Sequence, residues 1–149
     1  MKEIYISVDI EASGPIPGRY SLLSLGACVI GASTQNFYIE LVPISDLFVP
    51  EAMQIVGQSL DHYNQIGTDP KEAMKSFASW IEQVSVEMTP VFVGFNATFD
   101  WAFVNWYFHS FLGENPFGIG GLDIKSYYMG LVGCEWRDTR SSRIPEKYK

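Results

Sequence analysis

Near the start of the chain Ile4, Ile6, Val8 and Ile10 alternate with Tyr5, Ser7, Asp9 and Glu11. A period of two predicts a strand with one apolar and one polar face. Residues 12–19 are rich in Ser, Gly and Pro and predict the turn that ends it. Residues 21–31 predict a long second strand and residues 35–42 a third. The short Ala-Ser-Thr link between them predicts an antiparallel hairpin. A loop over 43–50 and a short helix over 51–56, stopped by Gly57, follow. Thr68, Asp69 and Pro70 then supply a polar cap and a first-turn proline for a longer helix. In that helix Ala73, Phe77, Trp80, Ile81 and Val84 recur at helical spacing, which assigns the stripe to the core.

Residues 90–95 are continuously apolar, the pattern of a short strand covered on both faces. An aromatic-rich helix over 97–112 comes next, then a loop at 118–121. A short fifth strand ends at Leu122 and Asp123, and a helix runs over 124–132. Three strands followed by helix, strand and helix predict an α/β fold: a mixed five-stranded sheet flanked by helices. No internal repeat or linker interrupts residues 1–149, which read as a single domain.

Composition narrows the classes. With 47% hydrophobic and 18% charged residues the chain reads as an ordinary globular protein, and no apolar run approaches the roughly 20 residues that span a bilayer. Cys28 and Cys134 both sit among apolar neighbours and are expected to stay reduced; with no leader pattern before the first strand, a cytoplasmic location is the expectation. The net charge of −7 argues against a protein that coats long duplexes by neutralising phosphates. It permits a grip on a few nucleotides at a metal site, because bound cations reverse the local field. The charge is uneven: residues 135–149 form a basic tail, with Arg137, Arg140, Arg143, Lys147 and Lys149 outnumbering three acids.

Two short stretches carry candidate chemistry. Asp9 and Glu11 project from one face of the first strand, where like charges repel unless a hard cation sits between them; an acidic strand end in solvent reads the same way. Asn96 and Asp100, four apart where the fourth strand passes into its helix, project from neighbouring positions of a first helical turn. They also read as an N-cap and as an acid at a positive helix end. Together, a strand Asp-x-Glu and a helix Asp after a buried strand can converge beyond the strand ends of an α/β sheet.

In these two stretches the sequence resembles the DEDD 3′–5′ exonucleases of ribonuclease H-like fold, and within them the DEDDh branch. That group includes polymerase proofreading domains, ribonuclease T and oligoribonuclease. The first motif of the family looks like Val8-Asp9-Ile10-Glu11-Ala12-Ser13-Gly14, the second like Gly94-Phe95-Asn96-Ala97-Thr98-Phe99-Asp100. The resemblance covers residues 4–132. It implies a two-metal phosphodiester hydrolase using Mg²⁺ or Mn²⁺, held by Asp9, Glu11 and Asp100 and releasing nucleoside 5′-monophosphates. It further implies that Ser13 and Gly14 present backbone groups to the terminal nucleotide. Phe95, Asn96 and Phe99 would contact the splayed end of a single-stranded or frayed RNA or DNA. A homodimer or a polymerase-type partner goes with the same resemblance.

The match is incomplete. The family requires a fourth Asp preceded by a His or Tyr that assists the water. His62 fails on spacing, because Gly67 stands where the Asp should be. His109, with Glu114 five residues on, lies on the helix of Asp100 and reads as a core or surface histidine. Asp123 reads as an N-cap, and Asp138 is a weak stand-in. The expectation is that the chain stops about where the C-terminal helix of the family begins, with His and Asp beyond Lys149. The alternative is an inactive exonuclease-like module that binds nucleic acid or protein.

Overall fold

The computed structural model describes residues 2–148. Five strands form one mixed sheet in the order β3-β2-β1-β4-β5. β1 (Lys2–Ala12) is central, antiparallel to β2 (Leu22–Val29) and parallel to β4 (Met88–Gly94). β3 (Ala32–Glu40) and β5 (Gly121–Asp123) are the edges.

The alternation in β1 sorts its side chains as expected: Ile4, Ile6, Val8, Ile10 and Ala12 are buried, while Asp9 is exposed and Glu11 half-buried on the other face. Cross-strand register keeps the two faces separate. Ile10 lies opposite Leu25, which lies opposite Ile39; Glu11 lies opposite Ser24, which lies opposite Glu40. Onto the apolar face pack α3 (Pro70–Val84) and α4 (Ala97–Leu112). Phe77 of α3 stands at the centre, its ring 5.6 Å from Phe108 of α4 and 5.2 Å from Phe37 of β3. Removing the area of several fully buried aromatics from water is the main stabilising term here, at about 25 cal/mol per Å².

Three elements differ from the sequence expectation. The hairpin turns at Ile30 and Gly31, not over residues 32–34: Gly31 takes φ +85, which frees the three following residues to join β3. A helix α2 (Leu60–Ile66) follows α1 (Pro50–Val56), in a region without a helical apolar stripe. Only Tyr63 of α2 is buried, and its start is set by Ser59, whose Oγ accepts from the His62 N–H. The basic tail carries two 3₁₀ turns, Trp136–Thr139 and Glu146–Tyr148, the first packed on α5 (Ile124–Val132).

Candidate active site

β1 runs past the end of β4. The last paired residue on that side is Ser7, opposite Val93. Odd-numbered residues of β1 bond toward β2, as Tyr5 does in accepting from the Ile30 N–H; the even-numbered Ile10 therefore points its N–H where β4 has ended. Asp100 takes it. The Ile10 N–H donates to Asp100 Oδ1 at 3.0 Å, which fixes a carboxylate from the first turn of α4 against the strand residue between Asp9 and Glu11. Asp100 is only 4% exposed. Burial pushes its carboxyl up to about 6, opposed by the Ile10 N–H and reinforced by Asp9 and Glu11. Glu11 is also held above the ordinary glutamate value, by burial first and Asp9 second. Three carboxylates thus share one field, and among the described residues no ion pair involves any of them. Nor do any three His, Cys, Asp or Glu side chains converge there as a ready-made metal group among the described residues. Mutually repelling acids with one member exposed are expected to stand apart until a cation draws them in.

The second stretch is positioned by strain and by a borrowed cap. Asn96 occupies the left-handed region at φ 66, a conformation Asn tolerates better than most side chains, and makes no cap hydrogen bond of its own. The start of α4 is instead satisfied by Asp123, whose Oδ1 accepts from the Ala97 N–H at 2.9 Å. The other oxygen, Oδ2, accepts from the Ser126 N–H and hydroxyl, so one carboxylate caps both α4 and α5. Asn96 Oδ1 is left to accept from Lys125 Nζ at 3.3 Å. Phe95 and Phe99, at 42% and 36% exposed, flank this corner in sequence, the Phe99 ring packing 5.3 Å from Phe103. Asp123 was legible in sequence only as a cap of its own helix. Its reach to α4 depends on β5 lying beside β4, which no local pattern announces.

Ser13 and Gly14 have internal tasks. Ser13 is fully buried; its N–H donates to Ser21 O, its C=O accepts from Val49, and its hydroxyl accepts from Ser21 N–H while donating to Leu47 O. Both of its backbone groups already have internal partners. What approaches Gly14 is the Tyr20 ring, 2.5 Å from where a Cβ would sit. The histidines stand apart from the carboxylates in their contacts: His62 pairs with Glu40 at 3.6 Å and His109 lies exposed at the end of α4. Asp138 is bound by Arg143 at 2.7 Å. A surface cleft lined by Lys75, Glu82, Met88, Pro90 and Pro116 belongs to the opposite end of the strands.

No family model matches the chain. Over 149 residues it is 54% identical to a 3′-5′ DNA exonuclease, Cap18, of Escherichia coli, covering 99% of this chain and 80% of that protein. This chain belongs to the DEDD-type 3′–5′ exonucleases. Solved exonuclease I structures share the ribonuclease H-like fold of this DEDD exonuclease. A metal-free E. coli exonuclease I–ssDNA complex superimposes with a TM-score of 0.64 at 18% identity over 87% of this chain. Exonuclease I from Methylocaldum szegediense gives 0.66 at 20% over 89%. The chain spans about a third of the length of those enzymes, 30% and 31%.

Proposed function

We propose that Asp9, Glu11 and Asp100 are the acidic cradle of a metal-dependent exonuclease that shortens single-stranded DNA from its 3′ end, releasing nucleoside 5′-monophosphates. The observation that carries the reading is the Ile10 N–H to Asp100 hydrogen bond, which sets the helix carboxylate against the strand between the other two. The donor set suits hard divalent cations such as Mg²⁺ or Mn²⁺: carboxylate oxygens, two of the three groups raised by burial first and by their acidic neighbours second, with no internal cation paired to them among the described residues. Two such ions, when bound, would polarise the scissile phosphate and supply a water that ionises near neutral pH.

The chain's own residues orient and position. The backbone of Ile10 holds Asp100 in one rotamer, and the exposed Asp9 is the member free to bridge. Phe95 and Phe99 offer stacking faces for a splayed terminal base, with Asn96 between them as a hydrogen-bonding side chain. Ser13 and Gly14 act at one remove, by holding the loop over 14–20 in shape. DNA is favoured over RNA because the relative of 54% identity is named a DNA exonuclease and an exonuclease I neighbour is an ssDNA complex.

A single-stranded deoxyoligonucleotide labelled near its 5′ end, incubated with Mn²⁺, should give a ladder from the 3′ side and 5′-monophosphates by chromatography. Asp9→Ala is expected to slow this on the order of 10²-fold or more. Shortening that persisted in Asp9→Ala would overturn the assignment. One observation favours a second reading, an inactive binding module: neither histidine contacts the carboxylates. Oligonucleotide binding without shortening in Mn²⁺ would decide for it.

A further inference from the structure

Lys125 stands between the second motif and the basic tail. Its ammonium donates to Asn96 Oδ1 at 3.3 Å and lies 3.9 Å from the centroid of the Trp136 ring. Trp136 is itself 50% exposed. An ammonium has three donors; one goes to Asn96, the ring takes one side of the charge, and the remainder is open to an acceptor. Phe95 and Phe99, also partly exposed, belong to the same motif as Asn96. An exposed ring beside a point charge suits a strand whose bases are unpaired; a duplex hides its base faces. The tail sharpens the picture by what it withholds. Arg137 pairs with Glu135 at 2.9 Å and Arg143 with Asp138 at 2.7 Å. Arg140, which follows the 3₁₀ turn begun by Trp136, is exposed and in no ion pair among the described residues. On a body of net negative charge this corner is a local exception.

We infer that Lys125 and Trp136 form a second contact for single-stranded DNA, holding the nucleotides upstream of the terminal one. Lys125 takes a backbone phosphate, Trp136 stacks the base next to it, and Arg140 follows the backbone outward. The inference rests on the exonuclease reading for the polarity of the strand, since the 3′ end must lie at the carboxylates. The internal contacts of Lys125 preorganise it: held between Asn96 and Trp136, it loses little freedom when a phosphate arrives.

The test is fluorescence anisotropy of 5′-fluorescein-dT10 on the full chain, in Ca²⁺ to slow turnover, over a series of salt concentrations. Lys125→Gln keeps a donor for Asn96 and removes the charge. It is expected to lower the slope of log Kd against log salt by about 0.7, the share of one phosphate on a single strand. Trp136→Ala is expected to weaken binding about tenfold, and Trp136→Phe to restore most of it. Circular dichroism melts of each variant establish that it is folded. An unchanged salt slope in Lys125→Gln, or a Trp136→Phe as weak as Trp136→Ala, overturns the contact. Shortening of unlabelled dT10 in Mn²⁺ by the wild type reports separately on the exonuclease reading. If shortening proceeds while both variants bind like the wild type, only the second contact fails. If dT10 is bound through Lys125 without being shortened, the contact stands and the chemistry fails.

Discussion

Burial is the strongest influence on Asp100, raising its carboxyl to about 6 even though the Ile10 N–H favours the charged form. In the unfolded chain the same group ionises near 4. A carboxyl with a raised folded value binds more protons folded than unfolded, so its stabilising share is complete below about pH 4 and is lost as pH rises through about 6. In EDTA the wild type is therefore destabilised at pH 7.5 by the charge on Asp100, the charge that the proposed metal site would use. Asp100→Asn retains an oxygen for the Ile10 N–H and removes that charge. In EDTA it should be more stable than wild type at pH 7.5 by roughly 1–3 kcal/mol, with the gap closing toward pH 4.5, and exonuclease activity should be abolished. Urea denaturation across that range checks the first part; an Asn variant no more stable at pH 7.5 would show that the charge is already compensated. At this scale the placements were legible: alternation puts Asp9 and Glu11 on one strand face, and the strand-to-helix step puts Asp100 on a first turn. Grouping them as a candidate site came from the family resemblance. The role of Ser13 was not legible, because its partners Ser21 and Leu47 are brought to it by two separate returns of the chain.

At the scale of elements, Asp123 is the joint between two helices. Burial would raise its carboxyl, but hydrogen bonds from Ser126, Ala97 and Lys125 outweigh it and hold the group below the ordinary aspartate value. A lowered acid contributes stability above its unfolded value and loses it as pH falls through the folded one. Asp123→Ala removes caps from α4 and α5 together. The expected loss is about 1–3 kcal/mol, with Asp123→Asn intermediate, read as melting temperatures at pH 7.5. Because α4 also carries Asp100, Asp123→Ala should reduce turnover as well as stability. Which elements could be read depended on how much they bury. The stripe of α3 announces itself through Ala73, Phe77 and Ile81, all buried. α2 buries one tyrosine and offers only its Ser59 cap. The β2–β3 turn was misplaced because Ala32–Thr34 look like link residues, whereas one glycine with positive φ completes the reversal.

For the whole molecule, the proposed cation site would link folding to metal binding. A ligand bound by the folded state alone adds RT ln(1 + [L]/Kd), about 2.7 kcal/mol at a hundredfold excess over Kd. Titrating Mn²⁺ into metal-free protein should raise the melting temperature by several degrees, and EDTA should reverse it. Asp9→Ala should flatten the response. An equal rise in Asp9→Ala would place the ion elsewhere. The five-stranded order was only partly contained in the sequence: element types came from periodicity and caps, but the neighbours of β1 are set by register and twist, which single stretches do not encode.

The buried knot at Ser13 has one more implication. Four hydrogen bonds converge on that residue, from Ser21, Leu47 and Val49, and close the neck of the loop over 14–20. With its two ends clamped, insertions near the loop's tip are expected to leave Glu11 in place, while Gly18 against the Trp106 ring ties the loop to α4. Such a neck makes the loop a replaceable cartridge, through which related proteins could change what they present beside the carboxylates while the scaffold stays the same.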